Sequence, residues 1–241
     1  MKLLIISDIH GNLNAMNSML DYIKNWQIDG VAVLGDLVDY GPHSNEVVEL
    51  VSKMQLPFVC NIYGNHEDAM FNDQYERFST PRGVDSAKYT KSLLSQATCN
   101  YIKSKMNKNG KEEFVLDGKK VLAVHGTIQD NHWGKFNIQD DLSPYSEYDL
   151  VLMGHSHLPF FYEAFFKADN PQTRNKKKTI FINPGSVGQP RNINKYSQFA
   201  IFDTITEQCE LIKIPYDIKA EQKDFSDNID SFYKTRLENG V

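Results

Sequence analysis

Cysteine is scarce in this 241-residue chain. Cys60, Cys99 and Cys209 are isolated, odd in number and outside any C-x-x-C pair, which argues against a disulfide frame or a zinc knuckle. They read as small buried side chains in a reducing compartment. Long apolar runs are missing too: nothing approaches the roughly 18 residues of a membrane-spanning helix, and the N-terminal run Leu3 to Ile6 meets Asp8 too early for a secretory leader. Charge of one sign is not in large excess, with 26 basic against 31 acidic side chains, a net charge of -5 and a pI near 5.8. A balance of that kind gives no bulk field to hold nucleic acid or an anionic membrane, although a local basic groove is compatible with it. Repeats, low-complexity tracts and linkers are absent. A cytoplasmic protein with one domain over residues 1–241 is expected.

What is present is histidine in a particular setting. Five of the seven histidines stand in short motifs that follow apolar runs: Asp8-Ile9-His10, Gly64-Asn65-His66-Glu67, Val124-His125-Gly126 and Gly154-His155-Ser156-His157. Gly35-Asp36 has the same placement. Neutral nitrogen and anionic oxygen donors delivered together from strand ends suit divalent zinc, manganese or iron, and soft sulfur donors are absent from the set. In a binuclear centre one carboxylate must contact both ions, holding them about 3.5–4 Å apart. Asp36 is the candidate. Asp8 and His10 alternate across Ile9, so an extended backbone would point both the same way. His155 and His157 repeat the pattern across Ser156, and Gly154 permits close backbone approach.

The pattern along the chain is β-α-β-α-β at first. Leu3–Ile6 is a fully apolar strand. Leu13, Met16, Leu20 and Ile23 mark an amphipathic helix capped by Asn12, Val31–Leu34 a second strand, Ser44–Met54 a second helix and Phe58–Ile62 a third strand. Such an order predicts a parallel sheet with right-handed crossovers and with ligands beyond the carboxyl ends of its strands. From about 71 to 108 the chain turns polar and helical, reading as an insertion or cap. Asp117-Gly118 between 113–116 and 119–124 is a two-residue hairpin signal of the I′ kind. Strands over 149–153, 160–166, 179–183, 199–203 and 211–214 complete a second sheet packed on the first, and 224–238 reads as a polar C-terminal helix.

Taken in order and spacing, Asp8-Ile9-His10, Gly35-Asp36, Gly64-Asn65-His66-Glu67, His125 and Gly154-His155-Ser156-His157 resemble the signature of the calcineurin-like metallophosphoesterases. The resemblance spans roughly residues 1 to 215. The longer strings Gly35 to Pro42 and Asn183 to Pro190 are similar to those of the small prokaryotic phosphodiesterase branch, whose members include dinucleoside-polyphosphate hydrolases. Such a resemblance implies an α/β fold, a two-sheet αββα sandwich with a small helical insertion. It also implies two divalent ions, manganese first with zinc or iron as alternatives. Asp8, His10, Asp36 and His157 would take one ion, and Asp36, Asn65, His125 and His155 the other. His66 is then the catalytic residue, beside the ions without binding them, where it stabilises phosphoryl oxygens or protonates a leaving group. Water activated by the ions would attack phosphorus in line, so no protein nucleophile is required.

The expected function is metal-dependent hydrolysis of a phosphodiester or phosphoanhydride in a small phosphorylated substrate, a nucleotide or dinucleoside polyphosphate. The alternatives are a scaffold of the same fold, which the intact donor set and His66 disfavour, and a nuclease, which the acidic pI and short chain disfavour. Tyr40 stands where the protein-serine/threonine phosphatases of the superfamily carry arginine, so activity of that kind is not expected. Glu67 could orient His66 or a ligand, or simply cap the following helix. His43 and His132 read as solvent-facing loop residues, Trp133 as an aromatic plug with a stacking role as the alternative, and the run Arg174 to Lys178 as a solvated loop. Asn183-Pro184-Gly185-Ser186 is expected to shape the turn beneath the site. Arg191 is a candidate phosphate contact.

Overall fold

The computed structural model describes residues 1–241. Strand β1 (Lys2–Ile6) is followed by helix α1 (Leu13–Ile23), β2 (Gly30–Val33), α2 (Ser44–Ser52) and β3 (Phe58–Asn61). The three strands pair in parallel, as the β-α-β-α-β pattern predicts, and Asn12 caps α1 by accepting from the Ala15 N–H at 3.0 Å. Strands β9 (Ser197–Asp203) and β10 (Cys209–Ile214), expected in the second sheet, instead add antiparallel on the far side of β1, giving the order β10-β9-β1-β2-β3. The second sheet is β4 (Lys111–Leu116), β5 (Lys119–Val124), β6 (Leu150–Met153), β7 (Phe160–Lys167) and β8 (Lys176–Asn183) in the order β4-β5-β6-β8-β7. Its β4–β5 hairpin turns on Asp117 and Gly118, both at positive φ (47° and 78°), as a type I′ turn requires.

Period-two alternation explains how the sheets stack. Leu3 and Ile5 of β1 point inward and join Val121, Ala123, Leu150 and Leu152 in the core between the sheets, whereas Leu4 and Ile6 point outward against Met16 and Met19 of α1. A strand apolar on both faces is therefore buried on both. The second sheet's outer face packs Val124, Met153 and Phe181 against Tyr145 and Tyr148 from the segment between β5 and β6. The outcome is a two-sheet α/β sandwich flanked by helices.

Three further stretches differ from the sequence pattern. The segment expected to be helical from about 71 to 108 is helical, but its helices start at residue 65 and end at 105, as α3 (Asn65–Asn72), α4 (Pro81–Leu93) and α5 (Gln96–Lys105). The C-terminal stretch is two short helices, α6 (Ile218–Lys223) and α7 (Ser231–Asn239), rather than one over 224–238; Asp230 caps the second through the Phe232 N–H at 2.8 Å, which starts it seven residues late. Lys176 to Lys178 belong to β8, and Lys178 pairs with Glu163 (2.9 Å) and Glu207 (2.5 Å) instead of lying in a solvated loop.

His43 is also not a solvent-facing loop residue. It occupies the N-cap position of α2, and its Nδ1 lies 3.0 Å from the buried Glu221 carboxylate of α6, with Nε2 3.2 Å from Asp224. Glu221 also accepts from the backbone and side-chain amides of Asn14, at 3.0 and 2.8 Å, so one carboxylate ties α6 to α1 and α2. The hydrogen bond to Glu221 raises the pKa of His43 despite partial burial. A folded-state pKa above the unfolded value of about 6.5 means that the pairing stabilises the fold fully below that value and is lost as pH rises through the folded pKa. His43→Gln should therefore destabilise most near pH 5.5 and least near pH 8.5 in urea unfolding; a difference independent of pH would show that protonation plays no part.

Candidate metal centre

Every sequence motif ends at one edge of the sandwich. Asp8 and His10 follow β1, Asp36 follows β2, Asn65 begins α3 after β3, His125 follows β5, and His155 and His157 follow β6. The first four come from one sheet and the last three from the other. Donor atoms of Asp8, His10, Asp36 and His157 lie within 4.8 Å of one another, and so do those of Asp36, His125 and His155. Asp36 belongs to both groups. Asn65 Oδ1 joins the second, 2.8 Å from His155 Nδ1 and 3.1 Å from His125 Nε2.

The local backbone is not the extended alternation that the D-x-H and H-x-H spacings suggest. Asp8 (φ 54°), His10 (49°), Asp36 (54°), His155 (62°) and His157 (57°) all adopt left-handed conformations. Such conformations cost about 1–3 kcal/mol each and concentrate at functional sites, although Asp and His tolerate them better than most residues. The chain turns at each of these residues, which gathers their side chains to a point. Close packing supports the turns. A Cβ at Gly64 would come within 2.1 Å of Asp36 Oδ1, and one at Gly154 within 2.2 Å of Ser7 Oγ.

Three imidazoles are oriented by their far nitrogens. Nδ1 of His10 donates to the Val38 carbonyl at 3.2 Å, that of His125 to Leu34 at 2.6 Å and that of His157 to Gln189 at 2.5 Å. With the Nδ1 proton so placed, the Nε2 lone pair is turned to the site, the arrangement that metal-binding histidines require. The string Asn183 to Pro190 supplies this frame from below: Ser186 Oγ donates to the Asp8 carbonyl at 2.6 Å, and Asn183 Nδ2 to the Gly154 carbonyl at 2.8 Å.

Glu67 both caps its own helix and holds the Asp36 loop. Its carboxylate accepts from Gly64 N–H (2.8 Å), Asp36 N–H (2.8 Å) and Leu37 N–H (2.7 Å). It does not touch the ring of His66. That role falls to Asp39, which the sequence reading passed over: His66 Nδ1 donates to Asp39 Oδ2 at 2.7 Å, and Asp39 Oδ1 accepts from Ser86 Oγ at 2.6 Å and Thr90 Oγ1 at 3.1 Å. Asp39 stands three residues after Asp36, and that spacing was the available signal.

The electrostatics suit cations. Neither oxygen of the fully buried Asp8 has a hydrogen-bond donor when the Nδ1 proton of His157 is on Gln189, although Oδ1 lies 3.1 Å from His157 Nε2; a carboxylate so buried normally costs several kcal/mol unless an ion is bound. Burial would push the pKa of His125 down, but the Asp36 carboxylate beside it holds it at about 9. Burial and then His125 press that of His155 down to about 3. Burial and Asp36 push Glu67 up to about 7. Conflicting charges of this kind resolve when divalent cations replace the proton on His125, so the donor set fits two metal ions.

A cleft of about 660 Å³ opens over the centre and is walled by Phe78, Trp133, Lys135 and Arg191. Phe78 meets His66 edge-on at 5.1 Å and Trp133 at 5.1 Å, while Arg77 of the helical segment pairs with Asp130 of the loop after His125. Trp133 thus lines the cleft rather than plugging the core.

Comparison with known proteins accords with this geometry. The calcineurin-like phosphoesterase superfamily domain matches residues 1–207. The chain belongs to that superfamily. It is 32% identical over 223 residues, 89% of this chain and 88% of the relative, to the uncharacterized protein MJ0912 of Methanocaldococcus jannaschii. A metallophosphoesterase from Sphaerobacter thermophilus has a similar structure, with a TM-score of 0.75 at 27% identity and all of both chains covered. Bis(5'-nucleosyl)-tetraphosphatase PrpE of Bacillus cereus is 27% identical over 150 residues, 56% of this chain and 61% of that protein. No helix of the chain is long and apolar enough to cross a membrane.

Glu67→Gln keeps the volume but turns an amide N–H₂ toward backbone donors. Manganese titration of this variant should show affinity lowered about 10–100-fold, the usual effect of losing a group that orders metal ligands; unchanged affinity would show that the Asp36 loop is held without it.

Proposed function

We propose that this metallophosphoesterase uses two divalent cations to hydrolyse phosphodiester or phosphoanhydride bonds in small, nucleotide-like molecules. The observation that carries the reading is the membership of Asp36 in both donor groups, because a shared carboxylate is what brings two ions close enough to act on one phosphoryl group. On this reading Asp8, His10, Asp36 and His157 hold one ion, and Asp36, Asn65, His125 and His155 the other. When bound, such a pair polarises phosphoryl oxygens and lowers the pKa of water to about 7. Manganese is the first choice, with zinc or iron as alternatives, since nitrogen and oxygen donors admit all three.

The remaining chemistry is done by the chain's own residues. His66 lines the cleft and has its Nδ1 fixed on Asp39, so Nε2 is the nitrogen left to donate. Burial alone would lower its pKa, but the Asp36 and Asp39 carboxylates raise it, which favours the protonated ring. His66 gives that proton to the leaving-group oxygen. Asp39 is a positioning residue that sets the tautomer and stabilises the charge. Phe78 and Trp133 offer faces for a base, and a relative named as a dinucleoside tetraphosphatase supports nucleotide anhydrides as substrates. A cytoplasmic setting fits the unpaired cysteines.

Two variants test the assignment with bis(4-nitrophenyl) phosphate and diadenosine tetraphosphate as substrates. Asp36→Asn should abolish manganese-dependent turnover while leaving the circular dichroism spectrum unchanged; full activity in that variant, or in metal-stripped protein, overturns the mechanism. His66→Ala should lower kcat by about 10²–10⁴-fold with metal content retained. Loss of metal in this second variant would make His66 a ligand instead.

A further inference from the structure

Arg191 enters the cleft from the loop after β8, two residues beyond Gln189, whose carbonyl orients His157. Its Nε is buried without a partner. Arg236 of α7, 8% exposed, is close enough to feel its charge. The two are linked through aromatic packing: Tyr40, which walls the cleft beside Arg191, stacks on Tyr233 of α7 at 4.2 Å, and Arg236 follows one turn later. Arg236 lies 4.9 Å from the centre of the Phe232 ring, and Arg82 of α4 lies 4.0 Å from the same centre. Arginine appears among the ion pairs of the chain at Arg77 alone. The one hydrogen bond of the Arg236 guanidinium runs from Nε to the main-chain oxygen of Val241, the last residue of the sequence, at 2.6 Å.

Guanidinium groups gathered in a partly dry place repel one another, and no Asp or Glu side chain is ion-paired with Arg82, Arg191 or Arg236. Burial, and after it the charge of Arg191, lowers the pKa of Arg236 to about 10. An anion between them would reverse the sign of the interaction, and the planar fork of arginine matches phosphate oxygens in pairs. The helix that carries Arg236 lies outside the residues 1–207 that match the superfamily domain. This charge therefore comes from the C-terminal segment.

We propose that Arg191 and Arg236, with Arg82 at the rim, form an anion subsite for a second phosphate of the substrate, next to the phosphoryl group handled over Asp36. The proposal rests on the phosphoesterase reading and narrows it to substrates with at least two linked phosphates. A single-phosphate diester fills the centre and leaves the subsite empty.

The test compares binding of AMP and of the non-hydrolysable α,β-methylene-ADP to manganese-saturated protein by calorimetry. The wild type should bind the two-phosphate ligand at least 10-fold more tightly, about 1.4 kcal/mol, and the gap should close in Arg191→Gln. Arg236→Lys, which keeps charge and bulk at the buried position, should narrow it less than Arg236→Gln, and Arg174→Gln on the distant β7–β8 loop should leave it intact. Absence of a gap in the wild type, or a full gap in both glutamine variants, overturns the subsite. A gap with no hydrolysis of any ester or anhydride would instead remove the proposed catalytic function and leave the anion site standing.

Discussion

Backbone N–H groups of Gly64, Asp36 and Leu37 converge on the buried Glu67 carboxylate at 2.7 to 2.8 Å, with Val38 N–H at 3.3 Å. These donors come from two loops, one after β2 and one after β3. Neither loop can satisfy them within itself, since both leave their strands in left-handed or helical turns and their polar groups are shielded from water. By pinning both, Glu67 fixes where Asp36 sits, and from Asp36 the rest follows: its Oδ1 accepts from His66 N–H at 2.8 Å and its Oδ2 lies 3.3 Å from His125 Nε2 of the opposite sheet. A single anion thus governs the start of α3, the shared carboxylate and the reach across the sandwich.

Much of this was legible before any coordinates. The apolar runs of β1, β2, β5 and β6 are continuous because those strands are covered on both faces, and the residues after them are polar because strand ends in such sheets open to a ligand site. Residue types therefore announced the donor set, and residue order announced the fold. Backbone handedness at Asp8, His10 and Asp36 was not legible, because no local rule demands φ > 0 at a residue other than glycine; the demand comes from packing between loops far apart in sequence. Asp39 was missed for a related reason. Its side chain reaches His66 only because Asp39 (φ 77°) and Tyr40 (φ 64°) turn the chain back on itself.

The C-terminal segment was the least readable part. Its helices are short and polar, so the apolar spacing that betrays α1 is weak, and their placement depends on single contacts: Glu221 to Asn14 and His43, and Tyr233 to Tyr40. Tyr40 illustrates how such contacts matter. Its ring lies 4.7 Å from His10, 4.4 Å from His66 and 4.2 Å from Tyr233, so the C-terminal helix leans on the site through one aromatic ring, and its tightness of packing is felt by two imidazoles of the candidate centre at once.

Donors drawn from both sheets make any ion held between them a rivet across the sandwich edge. Ligand that binds only the folded chain stabilises it by RT ln(1 + [L]/Kd), about 2.7 kcal/mol at a hundredfold excess over Kd, and here that stabilisation acts at the seam where the two sheets would part. Free metal concentration would then set how long the fold persists as well as whether it works, and copies starved of metal would be the first to open and be degraded.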